Sequence, residues 1–200
     1  MRGVITATAP VFTEYHGFQI KDPEGPVADD LDASHNGLVS AYLGDIEVAT
    51  GIHTGDVEVT VELHAEPPGP AEGWEEIAEL SWRSPSGEAL VTPLMHDPAD
   101  LPSLAWQGPG SYRLRVHARG RDTAVDHATG ENVVEFYLLQ SWPAAPQEAL
   151  LVKAMTDGYG AGRRAGPPRD TLVIDHEDSL DTPSGRERDI LRRAGRGDHS

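Results

Sequence analysis

The residues best suited to chemistry lie in the segment 108–122, where Arg113, Arg115, His117 and Arg119 alternate with apolar residues. Arginine binds carboxylates and phosphates through paired hydrogen bonds, and histidine transfers protons or binds metals. A row of such side chains could therefore bind an anion, contact an acidic partner or support catalysis. Because residues two apart in a strand point to the same face, the spacing predicts a β-strand with one apolar and one cationic face.

This cationic row lies in a strongly acidic chain. The 200 residues include 33 Asp and Glu against 16 Lys and Arg, and the first 110 contain nineteen carboxylates but only Arg2, Lys21 and Arg83 as cations. A negative surface repels nucleic acid and anionic membranes and attracts basic proteins. We therefore expect a basic protein partner and no direct binding of nucleic acid or membrane.

The arginine row has two interpretations. In one, Arg113, Arg115 and Arg119 pair with carboxylates on neighbouring strands, including the acidic face of a predicted strand at residues 57–66. In the other, part of the row and Arg121 stay free to bind an anion or an acidic patch. The candidate binding residues are the charged side chains of the two strands together with Arg121: Glu58, Glu62, Glu66, Arg113, Arg115, Arg119 and Arg121.

Metal binding and catalysis find weaker support. If the acidic and arginine strands paired, His64 and His117 could join Glu62 and Glu66 around a divalent metal, but the neighbouring arginines would repel a cation. The sequence has no Cys, no His-Glu-x-x-His and no Gly-x-Ser-x-Gly. We expect no metal, no cofactor and no catalytic residue. A hydrolase that uses surface carboxylates or a cross-strand histidine site remains an alternative.

Short alternating segments separated by Gly and Pro predict a mostly β protein. We expect an antiparallel β-sandwich of six to eight strands, including one at residues 11–20, with one packed C-terminal helix at residues 148–156. This gives a domain over residues 1–157. Residues 158–200 are predicted to be a flexible linker and largely disordered tail, in which residues 172–174 and a short helix containing Ile190 and Leu191 could order on a partner. Without a signal segment or a long apolar run, the chain is expected to be cytoplasmic.

Four short strings resemble the competence protein J family of small acidic bacterial nuclease inhibitors. They are Phe-Thr-Glu-Tyr-His-Gly-Phe-Gln at 12–19, Gly-Leu-Val-Ser-Ala-Tyr-Leu-Gly-Asp-Ile-Glu-Val at 37–48, Gly-Ser-Tyr-Arg-Leu at 110–114 and Tyr-Leu-Leu-Gln at 137–140. The resemblance extends over residues 10–142 and implies an inhibitor that blocks a cationic nuclease. It carries no functional residue onto this chain. On this hypothesis the contact is the acidic face around Glu58, Glu62 and Glu66, or the loop containing Asp29, Asp30 and Asp32.

Together these patterns predict a non-catalytic acidic protein that binds or inhibits a basic protein. One alternative is a β-sandwich that binds a small anion through free arginines. The hydrolase described above is the other alternative.

Overall fold

A computed structural model of the chain describes residues 4–26, 31–130, 132–154 and 157–166. These residues form ten β-strands, a short 3₁₀-helix (Ala33–His35) and one α-helix. The strands and the helix are β1 (Ile5–Thr13), β2 (Gly17–Lys21), β3 (Val39–Tyr42), β4 (Asp45–Ala49), β5 (Gly55–Leu63), β6 (Glu76–Ser84), β7 (Leu90–Thr92), β8 (Gly110–Arg119), β9 (Phe136–Pro143), β10 (Leu150–Ala154) and α1 (Gly158–Ala165).

The strands form two sheets. The large sheet has the order β1-β5-β9-β8-β6-β10, and the small sheet has the order β3-β4-β2-β7. Neighbouring strands are antiparallel, except that β5 and β9 are parallel. The predicted mostly β sandwich with a C-terminal helix is therefore confirmed. Its ten strands exceed the expected six to eight, partly because residues 11–20 contain the end of β1, a turn and β2.

The core lies between the two sheets and follows the alternation seen in the sequence. From the large sheet, Val57, Val59 and Val61 of β5 are completely buried, as are Leu114 and Val116 of β8. The small sheet adds the buried side chains Phe18, Ile20, Ile46 and Val48. Removing such side chains from water stabilises a fold by about 2 kcal/mol each. The opposite, outer face of β8 therefore carries the cationic row.

The helix predicted at residues 148–156 is wrong in position. Leu150–Ala154 forms β10, which pairs with β6 and has an irregular register between Leu151 and Lys153. Without β10, the backbone groups along that side of β6 would lack strand partners. The pairing of β10 with β6 therefore overrides the local helix preference of Ala, Leu and Lys. The α-helix is α1, which begins at Gly158 in the stretch predicted as a linker.

The division of the chain at residue 157 stays a prediction, because residues 167–200 lie outside the described part. The tail segments proposed to order on a partner, residues 172–174 and the region of Ile190 and Leu191, lie outside it as well, as do Asp29 and Asp30. Among the described residues, no helix has the length and apolar character needed to cross a membrane.

Candidate functional site

The first two arginines of the predicted row pair with β6. Arg113 Nε donates to Glu79 Oε1 at 2.6 Å, and Arg115 Nε donates to Glu79 Oε2 at 2.8 Å. Pairing with carboxylates of a neighbouring strand is thus confirmed for these two residues. The expectation that the acidic strand β5 supplies those carboxylates is wrong, because β9 lies between β5 and β8 in the sheet.

Two loops cover Arg113 and Arg115 and remove their side chains from solvent. Arg113 donates to the carbonyls of Gln147 and Glu148, which precede β10. Arg115 donates to the carbonyl of Pro68 in the loop between β5 and β6. The arginines are only 1% and 7% exposed, respectively. Each therefore ties the outer face of the large sheet to a covering segment, and neither presents a free guanidinium.

His117 contacts the same loop through one ring nitrogen and β9 through the other. Nε2 accepts a hydrogen bond from the backbone N–H of Ala71, which places the ring proton on Nδ1, where it is donated to Leu138 O at 3.2 Å. The residue is completely buried. Burial, with a smaller contribution from the charge of Arg115, lowers the pKa of His117 from 6.5 to about 4. His117 is therefore neutral and structural at neutral pH.

Arg119, the last cation of the row, has different neighbours. Its guanidinium carbon lies 5.2 Å from the ring centre of Trp74 and 4.7 Å from that of Phe136. Cation–π contact of this kind replaces the carboxylate pairing predicted for Arg119. The side chain remains exposed.

The acidic strand β5 carries two of the predicted binding glutamates, and the third lies just beyond its end. Glu58 and Glu66 are exposed, and Glu62 is partly buried. Glu62 Oε2 accepts from Gln140 Nε2 at 2.8 Å and lies 3.0 Å from His64 Nε2. Gln140 also contacts Arg115 Nη1 at 3.4 Å. A chain of polar contacts therefore crosses β9 and links the acidic strand with the arginine strand.

The same geometry separates the members of the cross-strand histidine site. His64 follows β5, whereas His117 lies on β8 and is fully engaged by Ala71 and Leu138. In the described part of the chain, no group of three His, Asp or Glu is placed to hold a metal ion. Of the residues proposed for a metal or hydrolase site, Glu62 and His64 are thus in contact, but the described residues do not form the complete site.

Arg121 lies at the end of the sandwich and is completely buried. Its Nε donates to Asp157 Oδ2 at 2.5 Å, and its Nη1 donates to the carbonyls of Gly37 and Ala49 at 2.9 and 3.3 Å. Asp157 is the N-cap of α1 and accepts from the N–H of Gly160. Arg121 therefore fixes α1 against the sheets, although the sequence favoured it as a surface contact.

Further carboxylates surround Arg121. Glu135 accepts from the N–H groups of Gly51 and Ile52 and from the Tyr137 hydroxyl at 2.6 Å, and burial raises the pKa of Glu135. Burial, assisted by the charge of Glu135, raises the pKa of Tyr137 well above 10.0, so this tyrosine keeps its proton. These contacts satisfy the buried polar groups and fix the loop 50–54.

Glu76 completes this end of the molecule. It is completely buried and pairs with Arg164 of α1, whose Nη1 lies 2.9 Å from Glu76 Oε2. Burial raises the pKa of Glu76, while the contact with Arg164 opposes the shift. Two ion pairs, Arg121–Asp157 and Arg164–Glu76, thus hold the short helix α1 in place. This is consistent with helices of this length depending on tertiary contacts.

Four rings form a row that begins next to Arg121, and we call them the ring cluster: Tyr159, His16, His53 and Tyr15. The ring centres are 5.5 Å apart for Tyr15 and His53, 4.9 Å for His53 and His16, and 6.0 Å for His16 and Tyr159. The Arg121 guanidinium carbon lies 5.4 Å from the centre of the Tyr159 ring. A row of rings therefore connects the buried arginine with Tyr15, which is 70% exposed.

The turn that presents Tyr15 is strained. Tyr15 and His16 have φ angles of 53° and 66°, in the left-handed region, and Asp126 opposite them has a φ of 60°. Two-residue hairpin turns of this type favour Asn-Gly, because other residues lose about 1 kcal/mol at such angles. His16 Nε2 lies 3.3 Å from Asp126 Oδ1, and the two side chains are 25% and 76% exposed. Backbone strain of this kind is often associated with a functional site.

Sequence reasoning missed the ring cluster. Its members come from the β1–β2 turn, the β4–β5 loop and α1, and Asp126 comes from the β8–β9 loop, so no local spacing unites them. One signal was available. The pair Tyr15-His16 precedes Gly17 between two β-rich segments, a position that favours a hairpin turn.

Exposed charge is distributed very unevenly. Among the described Lys and Arg residues, only Arg119 is exposed, because Arg113, Arg115 and Arg121 are buried and the others are partly buried. Ten acidic residues are exposed: Glu24, Glu58, Glu66, Glu72, Glu88, Asp97, Asp100, Asp122, Asp126 and Glu148. The exposed charge of the described region is therefore more strongly negative than the composition alone indicates.

Comparison with known proteins gives matches of structure alone. No protein-family model and no curated protein sequence matches the chain. The fold is similar to that of ComJ from Bacillus subtilis, an inhibitor of the DNA-degrading activity of NucA, with a TM-score of 0.51, 16% identity, and coverage of 71% of this chain and 99% of ComJ. A second structure, described as crocagin biosynthetic gene J, has a TM-score of 0.44, 14% identity and coverage of 72% and 99%. The resemblance to the competence protein J family is thus confirmed at the level of the fold.

Proposed function

We propose that this chain is a non-catalytic acidic module that binds and inhibits a basic protein. The observation that carries the proposal is the charge of the described surface, where ten acidic residues but only one Lys or Arg residue, Arg119, are exposed and the other cations are partly or completely buried. A field of one sign accelerates encounter with a partner of opposite charge and disfavours partners of like charge. A cytoplasmic location, expected from the sequence, stays a prediction.

The fold supports the same proposal. ComJ, which shares the architecture, inhibits a DNA-degrading enzyme. An enzyme that binds DNA needs cationic groups near its active site, and an acidic surface is complementary to such groups. We therefore propose a DNA-degrading or other nucleic-acid-binding enzyme as the class of partner.

Glu58, Glu62 and Glu66 are the first contact that we propose. They follow one another along β5 and its end, and the contacts of Glu62 with Gln140 and His64 hold its carboxylate in place. A carboxylate held before binding loses less side-chain entropy when a partner docks. The buried Arg113, Arg115 and Arg121 have no part in this contact.

The test is affinity capture from native lysate with elution by rising salt, followed by purification of the eluted partner and measurement of its affinity and activity. A triple variant, Glu58→Gln, Glu62→Gln and Glu66→Gln, removes three charges from the proposed contact. A matched triple variant, Glu24→Gln, Glu88→Gln and Asp97→Asn, removes three charges from loops next to β2 and β7 of the small sheet. We expect the first triple to weaken binding by at least about tenfold, while the second has a small effect.

Two outcomes would contradict the proposal. A partner whose binding does not depend on salt would rule out an electrostatic contact. Equal effects of the two triple variants would show that the affinity depends on the net charge of the protein and that β5 makes no specific contact. The anion-binding and hydrolase alternatives have less support, since Arg119 is the only exposed Lys or Arg among the described residues and β9 separates the strands of His64 and His117.

A further inference from the structure

We propose that the ring cluster, together with Asp126, binds an arginine or lysine side chain of the basic partner and anchors the complex. The inference rests on the proposed function and adds a second contact, at the end of the sandwich from which β5 starts. His53 belongs to this cluster, and β5 begins at Gly55, so the anchor and the acidic strand are adjacent along the chain. A partner that contacts Glu58 is therefore close to the anchor.

The exposed end of the cluster has the chemistry that a cationic side chain requires. Tyr15 is 70% exposed, and the Asp126 carboxylate, 76% exposed, lies 3.3 Å from Nε2 of His16, the residue that follows Tyr15 in the turn. A guanidinium or ammonium group can stack on a tyrosine ring while it pairs with a nearby carboxylate. Asp122, on the same loop, accepts from the N–H groups of Gly158 and Tyr159 and so links this loop to the start of α1.

Backbone hydrogen bonds hold the segments of the ring cluster together. The N–H of His53 donates to His127 O at 3.0 Å, the N–H of Asp126 donates to Gly51 O at 3.0 Å, and the N–H of Thr50 donates to His16 O at 2.9 Å. The turn, the β4–β5 loop and the β8–β9 loop are thus joined through their backbones. A contact residue held in this way is ordered before the partner arrives.

The identity of the turn residues also indicates binding. Tyr15 and His16 occupy left-handed positions where Asn-Gly would be more stable, and Tyr15 buries little of its own surface. Exposed tyrosines are typical of the residues that dominate protein interfaces. His16 Nε2 faces Asp126, and its buried Nδ1 has no hydrogen-bond partner among the described residues.

The experiment maps the binding of a short arginine-glycine peptide to the full chain by backbone amide NMR at low salt. We expect the largest saturable shifts in residues 14–17, 51–54 and 122–127. Asp126→Asn and Tyr15→Asn should each raise the apparent dissociation constant by about tenfold, whereas Asp97→Asn, which removes an exposed carboxylate elsewhere, should leave it unchanged. Asparagine tolerates left-handed φ angles, so Tyr15→Asn should lower binding without lowering the melting temperature.

The outcomes separate this inference from the proposed function. Shifts confined to the β5 face overturn the anchor and leave the acidic module intact. An unchanged affinity of both variants also overturns the anchor. The absence of any saturable shift refutes both proposals.

Discussion

His117 predicts a specific dependence of stability on pH. The ring is completely buried and its pKa is about 4 in the folded protein, against 6.5 for an ordinary histidine. As the pH falls, the unfolded chain therefore binds this proton first, and folding is disfavoured. The stabilisation from the neutral ring is complete above pH 6.5 and is lost progressively as the pH falls toward 4.

The magnitude follows from the two pKa values. Each unit of difference corresponds to about 1.4 kcal/mol, so the full difference from 6.5 to about 4 corresponds to about 3 kcal/mol. At pH 5 the folded ring is still almost entirely neutral, whereas the unfolded ring is almost entirely charged. The loss between neutral pH and pH 5 is then about 2 kcal/mol.

Other buried groups titrate with the opposite sign. The pKa values of Glu76 and Glu135 are raised by burial, so the folded state binds these protons before the unfolded state and gains stability as the pH falls. The pH dependence of wild-type stability alone therefore does not isolate the contribution of His117. A variant that removes only the imidazole, such as His117→Gln, keeps both carboxylates and supplies the difference.

The assay is urea unfolding followed by fluorescence of the four tryptophans, at neutral pH and near pH 5. Wild-type protein should lose about 2 kcal/mol more than His117→Gln between these conditions. His127→Gln, which removes an exposed histidine, should behave like wild type. Parallel pH profiles of wild type and His117→Gln would refute the assignment of His117 as a buried neutral ring.

Two further substitutions test the buried contacts. Glu79→Ala leaves two buried guanidinium groups without their carboxylate and should lower the free energy of unfolding by about 3–5 kcal/mol in urea denaturation. An effect below about 1 kcal/mol would show that water screens the two ion pairs. Gly51→Ala places a methyl group 2.0 Å from Arg121 O, and the required backbone shift should cost about 3 kcal/mol; an unchanged melting temperature would contradict this tight packing.

The sequence predicted the strands whose alternation is local and regular. β5 and β8 each place every second side chain in the core, so their faces could be assigned from spacing alone. The partner strand of each depends on contacts between distant residues. Spacing predicted that Arg113 and Arg115 would pair with carboxylates on a neighbouring strand, but it did not indicate that Glu79 of β6 would supply them.

Two other features depend on tertiary contacts and could not be predicted locally. The segment that forms β10 has helix-forming residues, yet pairing with β6 makes it a strand. Arg121 follows directly on the exposed Arg119 and Gly120, and its burial becomes evident only when Asp157, thirty-six residues later, is placed beside it. The ring cluster likewise joins residues from three separate segments.

The buried arginines and the acidic surface have a common physical origin. Arginine can be buried when carboxylates and backbone carbonyls accept from its donors, as they do around Arg113 and Arg115 and from Nε and Nη1 of Arg121. Each arginine used in this way is removed from the surface. The carboxylates that pair with these arginines are buried too, but most of the described acidic residues stay at the surface. The chain therefore uses arginine to fix its loops and helix, and its exposed charge is mostly carboxylate. In the complex that we propose, an electrostatic contact made by this surface is directed at cations, and the rings around His16 add shape and orientation.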